Sequence, residues 1–260
     1  SSEIKRRIMV KNPFLNKDIF KNKFKYYLLK IAPKGFIVSI ELKNNIKYKL
    51  RGRVADKTVL KEVWLKNMYN QFGVKVEDGD LVIDIGAHVG IFSTYAAENN
   101  KSGKIFSFEP FQDNFNRLKF HRDLNKKSNI KTLNYGIAGE NGKKCFYVNS
   151  KNSGGNSFIK NVERKKEVKI EAIKLSDFCK KEKIKKIDFL KIDCEGAEFE
   201  IFQKDESFLK IVKKIIMECH PVDGQSVFSI LSTLKKYNFK IHNEAEILSD
   251  NKLNMIYASK

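Results

Sequence analysis

The sequence predicts an α/β fold built on a doubly wound, mostly parallel sheet. From Leu81 onward, short apolar runs of strand length alternate with segments whose apolar residues have helical spacing. This alternation is typical of parallel strands joined by crossover helices. A second indication is the stretch LVIDIGAHVG at residues 81–90, where a strand-like run meets an aspartate and two glycines four positions apart. In doubly wound sheets, ligands bind past the carboxyl ends of the strands, where a glycine turn lets the backbone approach them.

The alternating region predicts a domain at residues 79–260. Its strands are predicted at 81–85, 104–109, 130–134, 187–193 and 213–219. Its helices are predicted at about 89–99, at about 111–125, from 197, and at about 224–237. Two further strand-like runs, 239–242 and 253–258, predict a terminal antiparallel hairpin.

Residues 1–78 predict a basic α+β appendage that caps or docks onto this domain. Residues 24–31 are basic and aromatic, and strand-like runs at 36–42 and 47–51 flank Asn44-Asn45, which suits a hairpin turn. A run with helical spacing follows, marked by Val59, Val63, Met68 and Phe72.

The net charge is strongly positive, with 51 Lys and Arg against 31 Asp and Glu, or +20. Such a charge favours an anionic partner: nucleic acid, a phospholipid surface or an acidic sugar. The alternative is a lysine-rich surface without a specific partner. In the basic front segment, lysines bracket aromatic and aliphatic side chains, so a helix there could lie on an anionic membrane or on a lipid-linked acceptor. The other possibility is that these aromatics cover one edge of the core while the lysines are solvated.

Four cysteines without a C-x-x-C pair predict reduced, buried thiols in a cytosolic protein. None of the four histidines has a partner four residues away, so the spacing predicts no metal site. We also find no apolar run long enough to span a membrane and no signal-peptide pattern. The sequence therefore predicts a cytoplasmic protein, or one peripheral to a membrane.

The glycine turn carries the strongest chemical signal. A nicotinamide-binding turn would read G-x-G-x-x-G, whereas here Asp84 precedes Gly86 and Gly90. A carboxylate there would repel a pyrophosphate, but it suits the cationic amino-acid end of S-adenosylmethionine (SAM). The next strand ends on Glu109, and an acid at that position can accept hydrogen bonds from both ribose hydroxyls. The two acids together, in a β-α-β context, predict a SAM site.

Five sequence blocks resemble the FkbM family of SAM-dependent methyltransferases. They are VIDIGAHVGIFS, IFSFEPFQDNFNRL, GGNSF, LSDFCKKEKIKKIDFLKIDCEGAE and IIMECHP, in the same order from about Val54 to His220. The resemblance implies a Rossmann-like class I methyltransferase fold with a seven-stranded sheet. It also implies methyl transfer, usually to an oxygen of a glycan, lipid or polyketide-type acceptor. It does not cover residues 1–50.

The resemblance carries site residues over to this chain. Asp84, Gly86 and Gly90 match the family's cofactor turn, with Ala87 and His88 inside it, and Glu109 matches the ribose ligand, followed by Pro110. Phe111 is expected near the adenine, and the segment NYGIAGENG places Gly136, Ile137 and Ala138 at the adenine edge. For His88 we expect a packing or supporting role. Asp193 and Glu195 in KIDCEGAE are expected to face the methyl group.

A hydroxyl acceptor must lose its proton during methyl transfer, so a base is expected nearby. The candidates are Asp193, Glu195, Glu198 and His220. His220 follows a strand directly, and an ordinary histidine pKa near 6.5 suits a base, although it could equally cap the strand end. Lys191 alternates with Asp193 along a strand, which would also allow a plain salt bridge.

The predicted function is O-methylation of a hydroxyl on a glycan, a lipid-linked sugar or another small molecule. One alternative is an RNA-directed methyltransferase whose basic front segment binds phosphates. Against this alternative, the sequence lacks the N-P-P-[YF] motif of base-amine methylation. A second is a non-catalytic binding module of the same fold. The polar, glycine-rich residues 149–161 lie between two strand-like stretches and predict either a mobile lid or a plain solvent loop.

Overall fold

The structure is a computed structural model that describes residues 17–149, 155–158, 166–220, 222–249 and 255–260. A short 3₁₀ helix at Lys17–Ile19 opens the described chain. The α-helices of the described residues are α1 (Lys23–Ile31), α2 (Asp56–Leu60), α3 (Ile91–Asn99), α4 (Gln112–Leu124), α5 (Leu175–Lys181), α6 (Glu198–Lys204), α7 (Val227–Lys236) and α8 (Glu244–Ser249). The strands are β1 (Ile37–Glu41), β2 (Lys47–Arg51), β3 (Leu81–Ile85), β4 (Lys104–Phe108), β5 (Ile130–Leu133), β6 (Gly136–Ile137), β7 (Gly142–Val148), β8 (Lys166–Ile173), β9 (Ile187–Ile192), β10 (Val212–Glu218), β11 (Lys240–Ile241) and β12 (Met255–Ser259).

The main sheet has seven strands in the order β11-β12-β10-β9-β3-β4-β5. The five strands from β10 to β5 are parallel, and β12 runs antiparallel between β10 and β11. This confirms the predicted α/β fold with a doubly wound, mostly parallel seven-stranded sheet. The terminal antiparallel pair is also confirmed. It is not a tight hairpin, however, because α8 lies between its two strands.

Both faces of the sheet are buried, which explains the continuous apolar runs of its strands. Along β3, Ile83 and Ile85 pack into one core with α5, α6 and α7, while Val82 points to the opposite core. The opposite core also contains Tyr26 of α1 and Tyr48 of β2. The basic front segment is therefore packed on one face of the sheet and shares a hydrophobic core with it.

Within the front segment, β1 and β2 form the predicted antiparallel hairpin around Asn45, which has a positive φ of 68°. The predicted helix that includes Met68 and Phe72 is wrong at its C-terminal end. Helix α2 continues only as a π-helical turn to Leu65, and Asn67 then adopts a positive φ of 52°, which breaks the helical path. Met68 and Phe72 lie beyond that break.

The structure also places the cysteines. All four are free, but Cys145 is exposed, so the prediction that all four are buried is wrong for this residue. The cause is that β7 belongs to a second, three-stranded sheet, β6-β8-β7, one face of which meets solvent. Strands β7 and β8 are the two strand-like stretches predicted around residues 149–161. Residues 150–154 and 159–161 of that segment lie outside the described residues, so the lid stays a prediction. Across the described part of the chain, no helix is long and apolar enough to cross a membrane.

Candidate active site

A cavity of about 450 Å³ opens at the carboxyl ends of the parallel strands. Four parts of the chain line it: the turns after β3 and β4, the ends of β9 and β10, the second sheet with the loop residues beside it, and the front segment between Arg53 and Glu62. Nine of the predicted site residues line this cavity, namely Gly86, His88, Glu109, Pro110, Gly136, Ile137, Asp193, Glu195 and His220. The other five do not line it, namely Asp84, Ala87, Gly90, Phe111 and Ala138. The predicted cofactor and catalytic residues therefore meet in one place.

Gly86 lets two strand ends approach each other closely. It has a positive φ of 76°, and a Cβ atom placed on it would lie 1.7 Å from the carbonyl oxygen of Asp193. Its backbone N–H and that of Ala87 donate to the carbonyl oxygen of Phe108, at 3.1 and 2.9 Å. Only glycine fits such a left-handed, tightly packed position. Gly90 instead allows close packing, because a Cβ there would lie 2.6 Å from Leu118 Cδ1.

Asp84 is fully buried beneath the turn rather than in the cavity wall. Its carboxylate accepts a hydrogen bond from Ser93 Oγ at 2.7 Å and pairs with Lys191 Nζ at 3.2 Å. Lys191 Nζ also lies 3.4 Å from Asp193 Oδ2 and donates to the carbonyl oxygen of Gly86 at 3.0 Å. The salt bridge considered from the sequence is therefore present, and it links Asp84 to Asp193 through one ammonium group. We find no direct path from Asp84 to a cofactor in the cavity.

Glu109 is buried at the cavity wall, where two backbone N–H groups hold its carboxylate. The N–H of His88 donates to Oε2 at 2.8 Å and the N–H of Phe111 donates to Oε1 at 3.0 Å. Burial raises the pKa of Glu109 to about 7, against the lowering effect of these hydrogen bonds. The carboxylate is thus fixed in orientation at the position expected for a ribose ligand. The side chain of Phe111, which was expected near the adenine, does not line the cavity and packs against a small cluster that contains Ala138 and Phe146.

His88 connects the cofactor turn to the front segment. Its ring Nε2 lies 3.4 Å from an Arg51 guanidinium nitrogen and 3.7 Å from Asp56 Oδ1. Arg51 and Asp56 form a buried pair with two side-chain contacts of 2.8 and 3.1 Å, and Arg51 also donates to Asn114 Oδ1 at 3.1 Å. Burial lowers the pKa of His88 to about 4, so the ring is neutral near pH 7. The supporting role predicted for His88 agrees with these contacts.

A histidine surrounded by carboxylates occupies the other side of the cavity. His220 Nδ1 lies 3.1 Å from Oε1 of the fully buried Glu198. His220 Nε2 faces Asp193 Oδ1 at 4.0 Å, Glu195 Oε1 at 3.8 Å and Glu218 Oε1 at 3.9 Å. Glu218 was not among the predicted site residues. It lies two positions before His220, and since strand side chains alternate, this spacing was a usable signal.

The ionisation of this cluster differs from the sequence expectation. Burial alone would lower the pKa of His220, but the hydrogen bond to Glu198 and the charges of Glu198, Asp193 and Glu195 outweigh it and raise the pKa to about 10. The idea that an ordinary pKa near 6.5 makes His220 a base is therefore wrong for this arrangement, because the ring is protonated near pH 7. Burial, together with the charge of Asp193, raises the pKa of Glu218 to about 7.

The second sheet closes the cavity with an apolar wall and one polar amide. Phe146, Phe158 and Tyr135 line this side, beside Gly136. Ser157 bridges the backbone of Tyr147, and its hydroxyl donates to the carbonyl oxygen of Glu195 at 2.5 Å. The neighbouring Asn156 is only 7% exposed, and its Nδ2 has no hydrogen-bond partner among the described residues. A buried amide of this kind indicates a site for a ligand atom that accepts a hydrogen bond.

These features fit SAM. Aromatic side chains offer a surface for a purine, Glu109 offers a fixed acceptor for ribose hydroxyls, and carboxylates at the ends of β9 and β10 offer a negative environment for a sulfonium group. Gly86 itself lines the cavity, beside the end of β9. Together these supply the three chemistries that the cofactor needs.

The chain is similar to several known proteins. The chain is 26% identical over 162 residues to the hexuronic acid methyltransferase AglP of Haloferax volcanii, a match that covers 62% of this chain and 65% of that protein. It is 22% identical over 218 residues to the 31-O-demethyl-FK506 methyltransferase FkbM of Streptomyces tacrolimicus, covering 72% of this chain and 83% of that one. Among solved structures, Aeropyrum pernix fibrillarin in complex with SAM is similar with a TM-score of 0.43 and 12% identity, covering 85% of this chain and 93% of that one.

The family assignment rests on more than these individual relatives. The family model described as the methyltransferase FkbM domain matches residues 84–241, which is more than half of the chain. The matched region begins at Asp84 and contains Glu109, Asp193 and His220, the residues that the structure gathers around the cavity or directly beneath it. The chain therefore belongs to the FkbM family of SAM-dependent methyltransferases.

Proposed function

We propose that the protein transfers the methyl group of SAM to a hydroxyl oxygen of a glycan, a lipid-linked sugar or another small-molecule acceptor. The observation that carries this proposal is the single cavity that joins the glycine turn and Glu109 to the carboxylates around His220. In such a cavity the methyl donor and a hydroxyl would lie side by side. A cavity of about 450 Å³ also suits an acceptor that enters as a small group or as the end of a chain.

In this reaction SAM supplies an electrophilic methyl group on a sulfonium. The protein holds the acceptor in line and excludes water, which accounts for much of the rate in displacements of this kind. The apolar wall of Phe146 and Phe158 serves the second task. Asp193 and Glu195 line the cavity beside the expected methyl position, and we assign to them the orientation of the hydroxyl and the acceptance of its proton.

The front segment supports an acceptor that carries negative charge. Arg53 lines the cavity together with Val54, Thr58 and Val59, all from the segment before or within α2. An arginine keeps its charge at any physiological pH and binds a carboxylate through two parallel hydrogen bonds. The relative from Haloferax volcanii is named for a hexuronic acid. We therefore place uronic acids and other anionic sugars first among the acceptors to be tried.

A lipid-linked acceptor is supported by the exposed face of α1. Tyr26 and Leu29 are buried, whereas Phe24 and Ile31 are 66% and 67% exposed, so the segment covers the core and still presents apolar side chains. Exposed lysines at positions 23, 25 and 30 flank them. Arg53 N–H donates to the carbonyl oxygen of Leu29 at 3.1 Å, which joins this helix to the cavity wall. We call the exposed set of Phe24, Ile31, Lys23, Lys25 and Lys30 the basic apolar face. We propose that it contacts an anionic membrane surface.

The test is a transfer assay with tritiated SAM against separated glycan, lipid and RNA pools. We expect label in the glycan or lipid-linked pool. The variant Asp193→Asn serves as the control for catalysis. We expect it to lose most of its turnover while its free energy of unfolding falls far less. Label in the RNA pool would favour the RNA-directed alternative and its phosphate-binding front segment. Tight SAM binding without label in any pool would favour a non-catalytic module.

A further inference from the structure

The strand ends gather three side chains that are common metal ligands. Asp193 directly follows β9, Glu218 is the last residue of β10, and His220 follows two positions later. One ligand atom from each lies within 4.8 Å of the others, and all three side chains line the cavity. Their donor set, two carboxylate oxygens and one imidazole nitrogen, suits divalent cations such as Mn²⁺ and Zn²⁺.

The orientation of His220 places Nε2 toward such an ion, which would displace the proton that the ring carries near pH 7 in the absence of metal. Nδ1 is held by Glu198, so Nε2 is the nitrogen that faces the carboxylates. Glu198 is itself fixed, because its oxygens accept hydrogen bonds from the N–H groups of Cys194 and Gly196 at 3.0 and 2.8 Å. A carboxylate that orients a histidine from behind is the usual companion of a histidine metal ligand.

The distances also favour an ion over direct contacts. The separations of 3.9 Å from His220 Nε2 to Glu218 and 4.0 Å to Asp193 are too long for hydrogen bonds. Ligand atoms that surround one ion at about 2.0–2.2 Å are themselves roughly 3–4 Å apart. The two distances from His220 Nε2 fall at the upper end of this range, and the three ligand atoms all lie within 4.8 Å of one another.

A separate observation supports the binding of a hydrogen-bond acceptor in this cavity. The amide of Asn156 is buried in the cavity wall with its Nδ2 unpartnered among the described residues. The hydroxyl of the neighbouring Ser157 donates to the backbone carbonyl oxygen of Glu195, and the side-chain carboxylate of Glu195 faces His220. An acceptor oxygen between this amide and the three ligands would be bound from two sides.

We propose that Asp193, Glu218 and His220 bind a divalent cation that holds and polarises the acceptor hydroxyl. This inference rests on the proposed function. In the transfer, the hydroxyl proton passes to the Glu195 carboxylate and the oxygen forms a bond to the methyl carbon. The carbon–sulfur bond breaks with its electron pair staying on sulfur, so S-adenosylhomocysteine leaves. The cation lowers the pKa of the hydroxyl and undergoes no redox change.

This proposal departs from the expectation of no metal, which rested on the absence of His or Asp ligand spacing along the chain. Asp193 and Glu218 are 25 positions apart in sequence, and they meet because β9 and β10 are neighbouring parallel strands. The spacing of Glu218 and His220 is visible in the sequence, but their meeting with Asp193 depends on the pairing of two strands that are far apart in sequence.

The experiment is a titration of the chelator-treated protein with Mn²⁺, followed by the loss of the free Mn²⁺ signal in electron paramagnetic resonance. We expect the wild type to bind one equivalent and Glu218→Gln to bind at least about tenfold more weakly. Glu140→Gln removes a carboxylate at an exposed position outside the cavity and should bind as the wild type does. Calorimetry with S-adenosylhomocysteine, without metal, should give the same affinity for all three proteins.

Three results would overturn the metal site: no Mn²⁺ binding by the wild type, equal binding by Glu218→Gln, or full methyl transfer by chelated enzyme. Restoration of transfer by Mn²⁺ or Mg²⁺ after chelation would support it. Loss of S-adenosylhomocysteine binding by the wild type is a different failure, because it would contradict the proposed methyl transfer and not the metal site.

Discussion

Lys191 shows how one buried charge organises the site. Burial alone would lower its pKa, but Asp84 and Asp193 on either side outweigh burial and raise it, so the ammonium stays charged. Asp84 and Lys191 are register partners on β3 and β9, which brings their side chains together across the sheet. Asp84 and Asp193 thus differ in position, since Asp84 pairs with Lys191 beneath the turn and Asp193 lines the cavity.

Glu109 is held in a state that is sensitive to pH. Its pKa of about 7 lies above the ordinary 4.5 because the side chain is buried. Ionisation of Glu109 therefore lowers the stability of the folded protein as the pH rises from 4.5 through 7. A bound ribose reverses this preference, because two hydroxyl donors favour the carboxylate over the acid.

We predict that nucleoside affinity rises with pH between 6 and 8. Below pH 7, Glu109 must lose its proton before it can accept hydrogen bonds from both ribose hydroxyls, so the affinity should change by up to about tenfold per pH unit. The probe is 5′-methylthioadenosine, which has the ribose and adenine of SAM but no titrating amino group, measured by calorimetry at several pH values.

The control for this prediction is Glu109→Gln, which cannot ionise. Its affinity for 5′-methylthioadenosine should not change with pH. At pH 8 its binding free energy should be weaker than that of the wild type by an amount on the order of 2 kcal/mol. His88 does not titrate in this range, because its pKa is about 4. A pH-independent wild type, or an unchanged affinity in Glu109→Gln, would contradict the assignment of Glu109 to the ribose.

At the scale of elements, the contact between the ends of β3 and β9 sets the geometry of the site. The chain leaves β3 through Gly86 and passes so close to Asp193 that a side chain at position 86 would overlap its carbonyl oxygen. The cofactor turn and the end of β9 are thus one packed unit. Displacing one of them displaces the other.

We predict that Gly86→Ala destabilises the protein far more than Gly73→Ala. Both glycines have a positive φ, 76° and 79°, but an added Cβ at Gly73 meets nothing within 4 Å. Gly73→Ala should therefore cost about 1 kcal/mol, the ordinary penalty of a left-handed alanine. Gly86→Ala adds a severe overlap and should cost about 4 kcal/mol or more.

Urea denaturation of the two variants measures this difference, and calorimetry measures their SAM affinity. Gly73→Ala should bind SAM normally, since it changes no residue of the cavity wall. Equal stability of the two variants would mean that the backbone at Gly86 relaxes freely and that the contact with Asp193 does not constrain the site.

The sheet was largely predictable because its strands are buried on both faces and alternate with helices. Boundaries such as Leu81–Ile85 follow from an apolar run that ends at a glycine turn. The early end of α2 was not predictable, because it depends on the left-handed Asn67 and not on apolar spacing. Among the predicted site residues, Gly86, Glu109, Asp193 and His220 line the cavity, and their roles stay predictions.

Other parts of the site depend on tertiary packing. Asp84 was expected to face the cofactor, but its pairing with Lys191 arises from the strand register, which the sequence does not reveal. The raised pKa of His220 requires Glu198 and Asp193 to lie nearby in space. The cavity wall from Arg53 to Glu62 lies ahead of the region that the family model matches.

At the scale of the whole molecule, most of the excess positive charge lies on residues 1–78, which hold 19 Lys and Arg against 7 Asp and Glu, or +12 of the +20. The same segment carries the basic apolar face and forms part of the cavity wall. Each lysine near an anionic bilayer contributes about 1 kcal/mol, and exposed aromatic and aliphatic side chains add to this by burial in the interface. This arrangement would bring the mouth of the cavity toward the membrane.

We predict weak, salt-sensitive flotation with anionic liposomes. The wild type should float at low salt and be released as the ionic strength rises, because screening shortens the range of the lysine charges. The double variant Phe24→Ser/Ile31→Ser should float less. Phe228→Ser changes a residue on α7 that is 53% exposed, so it serves as the matched control and should float as the wild type does.

The membrane assignment fails if the wild type does not float at low salt. Tight, salt-sensitive RNA binding in a filter assay would then move the acceptor to nucleic acid. Equal loss of flotation in the Phe228→Ser control would indicate general hydrophobic adhesion and not a defined face.

The contacts of Arg51 and Asp56 with His88 have a consequence for recombining enzymes of this family. A front segment grafted from a relative would bring new acceptor contacts, but it would also replace the pair that supports the cofactor turn from behind. A functional chimera must therefore keep an arginine at position 51 and an aspartate at position 56 in the grafted segment. Arg51 also binds Asp113 and Asn114 on α4, so these contacts would be kept as well. A chimera designed to change the acceptor must therefore join the two sequences at a point that keeps the contacts of Arg51 with Asp56, His88 and α4.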